Sequence, residues 1–133
     1  MQKWHILTKY NKLVIKDNSN KKIDMDFCIK SSNSNNEYII KIIQETIFAI
    51  PEIFVINPNL KTYEDEAIPH TYGMKKIKGK KYLQICPFYP KEDWNNAMII
   101  ADTVLLWSIE WLFFYEIWLV SGQWCGRWQT SRY

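Results

Sequence analysis

Alternating apolar and polar residues in the first ninety positions predict a β-sheet. Residues 23–29 place an apolar side chain at every second position, which is the period of a strand with one buried face. The segments 38–43 and 52–56 are rich in β-branched and aromatic residues. Residues 12–16 are a further β-branched segment, which follows a possible helix or strand at 4–10. Strands joined by short polar turns predict an antiparallel meander.

A long loop and a hairpin are predicted to follow these strands. Residues 57–72 contain two prolines and no periodicity, which predicts a loop of about sixteen residues, a length that suggests a function. Residues 75–85 are predicted to form a hairpin that turns at Lys78-Gly79. Its second arm ends at Cys86, because the proline that comes next cannot donate to a ladder.

One long helix is predicted near the C-terminus. It begins at Asp102 or Thr103, either of which is a good N-cap, runs to about Val120 and stops before Gly122. Four aromatic residues with helical spacing lie on one of its faces: Trp107, Trp111, Phe114 and Trp118. They are predicted to pack against the sheet, and the alternative is an aromatic stripe that meets a partner. The fold class is therefore α+β, a four-stranded antiparallel meander with the helix on one face, in a single domain over residues 1–133.

The apolar stretch at 98–120 is long enough to span a bilayer. It contains Asp102, Glu110 and Glu116, and an acidic residue near the bilayer centre costs about 3 kcal/mol. Lys and Arg are also missing just before it. These features favour the core helix of a soluble protein over a membrane span.

Charge and composition exclude several classes of protein. Hydrophobic residues make up 47% of the 133 residues and charged residues 23%, so the whole chain is not disordered. The net charge is +3 and most cations are lysine, whereas a nucleic-acid binder is more often strongly basic with arginine in its basic patches. The densest lysine run, at 75–81, is interpreted as a solvated hairpin, with an acidic protein surface and a phosphate group as alternative partners.

Three cysteines provide candidate chemistry. Cys28, Cys86 and Cys125 are far apart and show no metal-ligand spacing, and neither His5 nor His70 is near a cysteine in sequence, so no metal or cofactor is expected. The first ten residues show no signal peptide, and free thiols are typical of a reducing cytoplasm. Cys86 is the candidate nucleophile, because a thiol at a strand end is expected to be exposed yet held by a rigid sheet. Cys28 and Cys125 are interpreted as small buried hydrophobic residues.

Three features surround Cys86 in the sequence: Trp94 eight residues after it, the segment 51–58 between two prolines, and Pro69-His70 before it. This arrangement resembles that of ubiquitin-conjugating enzymes, in which residues 51–58 correspond to the third strand and Pro69-His70 stands where the family has a His-Pro-Asn turn. The end of the chain resembles the tail of bacterial ubiquitin-conjugating-enzyme-like proteins that are encoded in CBASS antiphage operons. The matching residues are Trp107, Glu110, Trp111, Leu112, Tyr115, Glu116, Trp118, Gly122, Trp124 and Gly126.

The resemblance implies a ubiquitin-conjugating (UBC-like) fold and a thioester relay at Cys86. In the CBASS branch the carried protein is a cGAS-like nucleotidyltransferase (CD-NTase), whose C-terminus is transferred to an amine and whose signalling is thereby primed. Thiolates are good leaving groups when an amine attacks a thioester. The chain has no glycine loop for adenylation, so the carboxyl group must arrive already activated.

His70 departs from the family pattern in two ways. The family's asparagine is missing from Pro69-His70-Thr71-Tyr72, and His70 precedes Cys86 by sixteen residues where the family has about ten. An inserted hairpin at 74–80 can explain the longer spacing. His70 is therefore expected to orient the Cys86 loop, to donate to an oxyanion, or to be a structural histidine.

Two other functions compete with the conjugating enzyme. One is a catalytically inactive adaptor of the same fold, which binds the CD-NTase without a covalent bond and in which Cys86 is incidental. The other is a small protein anchored in a membrane by residues 98–120.

Overall fold

The computed structural model describes the backbone of residues 4–15 and, in full, residues 22–31, 34–46, 48–88 and 103–126. These residues form six strands and one helix, in the order β1 (Trp4–Ile15), β2 (Ile23–Ser31), β3 (Glu37–Gln44), β4 (Glu52–Asn57), β5 (Thr71–Ile77), β6 (Lys80–Ile85) and α1 (Val104–Ser121). The α+β class predicted from the sequence is confirmed. Asp102, one of the two predicted N-caps, lies outside the described residues.

The prediction of four strands is wrong, because the described part of the chain forms a six-stranded antiparallel sheet. Residues 4–15 form one long strand that pairs with β2, where the sequence suggested a separate segment at 12–16. The strand order is β1-β2-β3-β4-β6-β5, so β6 lies between β4 and β5. The long connection after β4 makes this order possible, because it carries the chain past the position of β6 to the edge of the sheet.

The β5–β6 hairpin turns at Lys78-Gly79, as predicted. Both residues have positive φ, 49° for Lys78 and 86° for Gly79, which is the conformation of a type I′ hairpin turn. The first arm begins at Thr71, earlier than predicted, because Thr71 pairs with Ile85. The lysines of this hairpin are exposed along the edge strand and the turn, which favours the interpretation as a solvated hairpin.

Helix α1 packs across one face of the sheet, as predicted. It ends at Gly122, whose φ of 77° is left-handed and whose N–H donates to the carbonyl of Trp118 at 2.7 Å. Buried apolar residues of both layers form a single core: Phe27, Ile29, Tyr38, Ile40, Ile42, Ile53, Val55, Ile85 and Phe88 with Val104, Leu105, Trp111, Leu112, Tyr115, Trp118 and Trp124.

The aromatic stripe of the helix is only partly inside this core. Trp111 and Trp118 are each 3% exposed, whereas Trp107 and Phe114, which lie seven residues apart on the same side of the helix, are half-buried at the edge of the packed face. Leu112 is fully buried on the packed face. By length and composition α1 could cross a membrane, but its packing against the sheet is that of a core helix.

Candidate active site at Cys86

Cys86 directly follows β6, so the predicted position at a strand end is confirmed. Its backbone N–H donates to the carbonyl of His70 at 2.9 Å. Its sulfur lies 3.3 Å from the hydroxyl of Tyr72 and 3.3 Å from the carbonyl oxygen of Phe88. The cysteine is therefore held through both its backbone and its side chain.

The expectation that this thiol is exposed is wrong. Cys86 is 1% exposed, as is Cys28 in the middle of β2, whereas Cys125 is exposed. The physical reason is the direction of the Cys86 side chain, whose sulfur points toward polar atoms of Tyr72 and Phe88 rather than toward solvent. Reaction at Cys86 therefore requires a local movement that uncovers the sulfur.

A cleft of about 390 Å³ leads to Cys86. Its wall includes the apolar residues Ile50 and Phe88, and its polar lining includes Glu45, Glu52, Tyr72 and Gln84. The carboxylate of Glu52 accepts from Lys75 Nζ at 2.7 Å and from Gln84 Nε2 at 3.4 Å. The cleft thus offers apolar surface for a chain segment together with acidic groups.

His70 lies next to Cys86, and its contacts there are made by its main chain. Its φ of 55° is left-handed, and its carbonyl oxygen accepts both from the Cys86 N–H and from Trp111 Nε1, the latter at 3.0 Å. The imidazole is 2% exposed and lies against Trp124, with the ring centroids 5.1 Å apart. These contacts favour the interpretation of His70 as a structural histidine that orients the Cys86 loop.

The loop before His70 is fixed on the helix. The backbone of Lys61 makes two hydrogen bonds with the Tyr115 hydroxyl: its N–H donates at 2.8 Å, and its carbonyl accepts at 2.9 Å. Further along, the Tyr63 ring lies 6.2 Å from that of Trp118 and packs close to Gly122, where a Cβ would come within 2.6 Å of it. The tyrosine, tryptophan and glycine of the C-terminal motif therefore position the segment that leads to the site.

The glutamate of the same motif connects the helix to the sheet. Glu116 accepts hydrogen bonds from four side chains of the β2–β3 connection and its flanks, at 2.6–3.2 Å: Ser31, Ser34, Asn36 and Tyr38. Burial raises the pKa of Tyr38, and the contact with Glu116 raises it further. The hydroxyl therefore stays protonated and remains a donor to the carboxylate.

Sequence reasoning missed Tyr72. Burial and the contact with Cys86 both raise the pKa of this tyrosine, so its hydroxyl stays protonated. Because the hairpin was predicted to begin at 75, Tyr72 was assigned to the preceding loop and not to a strand beside Cys86. An earlier start of the first arm, opposite Ile85, would have identified it.

Trp94, which contributes to the resemblance downstream of the cysteine, lies outside the described residues. Within the described ranges, no group of three or more His, Cys, Asp or Glu side chains could hold a metal ion. The site in the described part of the chain therefore consists of a thiol, a hydroxyl, main-chain carbonyls and an acidic cleft.

Comparison with known proteins identifies the family. Neither the curated proteins nor the solved structures contain a match to the chain. A family model described as "Type II CBASS E2 protein" matches residues 2–131, which is nearly the whole sequence. The resemblance inferred from the cysteine and the C-terminal motif is thus confirmed, and the chain belongs to the type II CBASS E2 family.

Proposed function

We propose that the chain is a cytoplasmic conjugating enzyme with a single UBC-like domain. Cys86 carries the C-terminal carboxyl group of a CD-NTase as a thioester and passes it to an amine, which primes antiphage signalling. The observation that carries this proposal is the position of Cys86, at a strand end beside a cleft, in a chain of the type II CBASS E2 family.

The chemistry needs two acyl transfers at one sulfur. In the first, the Cys86 thiolate attacks an already activated carboxyl group, a C–S bond forms, and the activating group leaves. In the second, an amine attacks the thioester, a C–N bond forms, the C–S bond breaks, and its electron pair returns to sulfur. The amine proton is released to water, so the enzyme itself is unchanged.

The acidic lining of the cleft supports an amine as acceptor. Both carboxylates of this lining bind a lysine ammonium group, Glu45 that of Lys22 at 2.9 Å and Glu52 that of Lys75 at 2.7 Å, so this wall can accommodate such a group. The carboxylates favour the charged form of an amine, whereas desolvation in the cleft favours the neutral form that attacks.

In this proposal His70 is a positioning residue. Its carbonyl fixes the Cys86 backbone, and the same oxygen is held by the indole of Trp111 in the core. The buried position of the imidazole supports a structural role over direct donation to an oxyanion.

The test is coexpression with the CD-NTase encoded in the same operon, followed by electrophoresis with and without reductant. We expect an adduct that reductant removes, that is lost in Cys86→Ala and that persists in Cys28→Ala and Cys125→Ala. Cys86→Ser is expected to trap an ester that resists reductant. An adduct that moves to Cys125, or that survives in Cys86→Ala, would refute the assignment of the nucleophile.

The burial of Cys86 favours one other candidate, the non-covalent adaptor. An adaptor would copurify with the CD-NTase equally well as the wild-type protein and as Cys86→Ala, and no adduct would form in either case. The same coexpression experiment therefore separates the two functions.

A further inference from the structure

We infer that Tyr72 is a positioning residue for Cys86, whose hydroxyl holds the sulfur and whose ring covers it. The inference deepens the proposed function, since its importance for acyl transfer rests on Cys86 being the carrier. It is based on the β-bulge at Tyr72, on the 3.3 Å contact between its hydroxyl and the Cys86 sulfur, and on the cleft that both residues line.

The bulge directs Tyr72 toward the cysteine. Thr71 pairs with Ile85 and Gly73 pairs with Gln84, so β5 has one more residue than β6 at this point, and that residue is Tyr72. Gly73 has a φ of 85°, which a residue with a Cβ rarely adopts. Bulges are frequent beside active sites, where they change the direction of a side chain.

The contact between the Tyr72 hydroxyl and the sulfur affects the thiol and the thiolate of Cys86 differently. A thiol can donate its proton to the Tyr72 hydroxyl or to the carbonyl of Phe88, both of which lie 3.3 Å away. A thiolate only accepts hydrogen bonds, so it is repelled by the Phe88 carbonyl, whereas the Tyr72 hydroxyl can rotate and donate to it. Since the pKa of Tyr72 is raised by burial and by the contact with Cys86, this hydroxyl keeps its proton at physiological pH.

Other charged groups lie around the cleft in two ion pairs. Glu45 and Glu52 are part of its lining, Lys22 is bound to Glu45 at 2.9 Å, and Lys75 is bound to Glu52 at 2.7 Å. His70 contacts the Cys86 backbone through its carbonyl. Because each carboxylate is paired with a lysine, these groups add no net charge to the cleft wall, and the Tyr72 hydroxyl is a neutral donor beside the sulfur.

Tyr72 has one role in each of the two proposed acyl transfers. When an amine attacks the thioester, the electron pair of the breaking C–S bond goes to sulfur, and the Tyr72 O–H stabilises the departing thiolate. When an acyl group is loaded, the tyrosine ring must move aside because Cys86 is 1% exposed. Tyr72 itself is 45% exposed, so its ring can turn outward without disrupting the core.

The test is alkylation of the purified chain with iodoacetamide across a range of pH. Modification is counted on the tryptic peptide 82–91, which contains Cys86 and no other cysteine. Tyr72→Phe keeps the ring and removes the hydroxyl, and Tyr72→Ala removes both. Tyr82→Phe is the matched control, because this half-buried tyrosine of β6 lines a different cavity. Circular dichroism checks that every variant is folded.

We expect Tyr72→Phe to shift the midpoint of the pH profile upward by about one unit, which is about tenfold in thiolate fraction, without raising the rate at high pH. Tyr72→Ala is expected to shift the midpoint similarly and to raise the high-pH rate severalfold, because the sulfur is uncovered. Tyr82→Phe should behave as the wild type does. An unshifted midpoint in Tyr72→Phe, or an unchanged high-pH rate in Tyr72→Ala, would overturn the inference.

This alkylation assay needs no CD-NTase, so it decides the role of Tyr72 independently of the proposed function. Failure of the wild-type protein to form a thioester during coexpression would instead count against the proposed function. If the thioester forms, a single-turnover discharge to free lysine should be about tenfold slower in Tyr72→Phe than in Tyr82→Phe.

Discussion

Replacement of Trp111 by alanine tests the packing that holds the helix and the site together. Trp111 is 3% exposed, and its ring centroid lies 5.7 Å from that of Tyr115 and 5.4 Å from that of Trp124. Its indole N–H also donates to the carbonyl of His70. The substitution opens a cavity at the centre of the core, removes both ring contacts and removes a buried hydrogen bond.

The expected loss in the free energy of unfolding is about 3–5 kcal/mol, the range measured for large aromatic residues truncated to alanine in a core. This is a large part of the total stability of a domain, typically about 5–15 kcal/mol. Trp111→Phe keeps an aromatic ring and removes the indole N–H. Since His70 still accepts from the Cys86 N–H, we expect a smaller loss of about 1–2 kcal/mol.

The assay is urea unfolding followed by circular dichroism. With a slope of about 2 kcal/mol per molar urea, the midpoint should fall by about 2 M in Trp111→Ala and by less than about 1 M in Trp111→Phe. Trp107→Phe, the same change on the half-buried flank of the helix, is the matched control and should have the smallest effect. A Trp111→Ala midpoint close to that of the wild type would refute the packing of this side chain in the core. Equal losses in Trp111→Ala and Trp111→Phe would show that the stabilisation comes from the indole hydrogen bond and not from the ring.

Two further predictions concern the connection between the helix and the sheet. Glu116→Ala should cost about 2–3 kcal/mol in urea unfolding, because it removes the carboxylate to which the buried hydroxyls of Ser31 and Tyr38 donate, whereas Glu110→Ala on the exposed face should change little. Alkaline pH should also destabilise the fold. The pKa of Tyr38 is raised from its ordinary value of 10.0, so its contribution is complete below pH 10 and is lost as the pH rises above that value. Unfolding measured between about pH 8 and pH 11 should show this loss, and Tyr38→Phe should reduce it; a wild-type stability that stays constant to pH 11 would contradict the burial of this hydroxyl.

Local patterns predict the elements of this fold well. Period-two alternation identifies β2, and the isoleucine-rich segments identify β3 and β4, because each depends on neighbours in sequence. Lys78-Gly79 identifies a turn for the same reason. The end of the helix was also predictable, since Gly122 adopts a conformation that few other residues tolerate.

Long-range pairing was not predictable from the same patterns. The pattern of apolar and polar residues in 71–85 does not indicate that β6, rather than β5, pairs with β4. The six-stranded order depends on the pairing of β4 with β6, which are far apart in sequence. A meander was therefore expected where the chain in fact crosses to the edge of the sheet and returns.

The position of Cys86 in sequence was informative, but its environment was not. The strand end followed from the proline after it, whereas the buried thiol contacts the Tyr72 hydroxyl at a bulge and the Phe88 carbonyl, and neither contact has a sequence signal. The sequence draws attention to the imidazole of His70, whereas in the structure its main-chain oxygen accepts from the Cys86 N–H and from Trp111 Nε1. Main-chain hydrogen bonds of this kind have no side-chain signature in a sequence.

The carbonyl of His70 connects reactivity to stability in this chain. One oxygen accepts from the Cys86 N–H and from Trp111 Nε1, so the main chain of the candidate nucleophile is tied by a single intermediate atom to the centre of helix α1. A movement of the helix therefore changes the backbone next to the thiol, while rotation of the Tyr72 ring at the surface does not require the core to move. The backbone of the site is thus fixed by the core, and the inferred cover of the sulfur is the exposed side chain of Tyr72. In the proposed acyl transfer this division is useful, because the sulfur must admit successive partners while its position in the sheet stays constant.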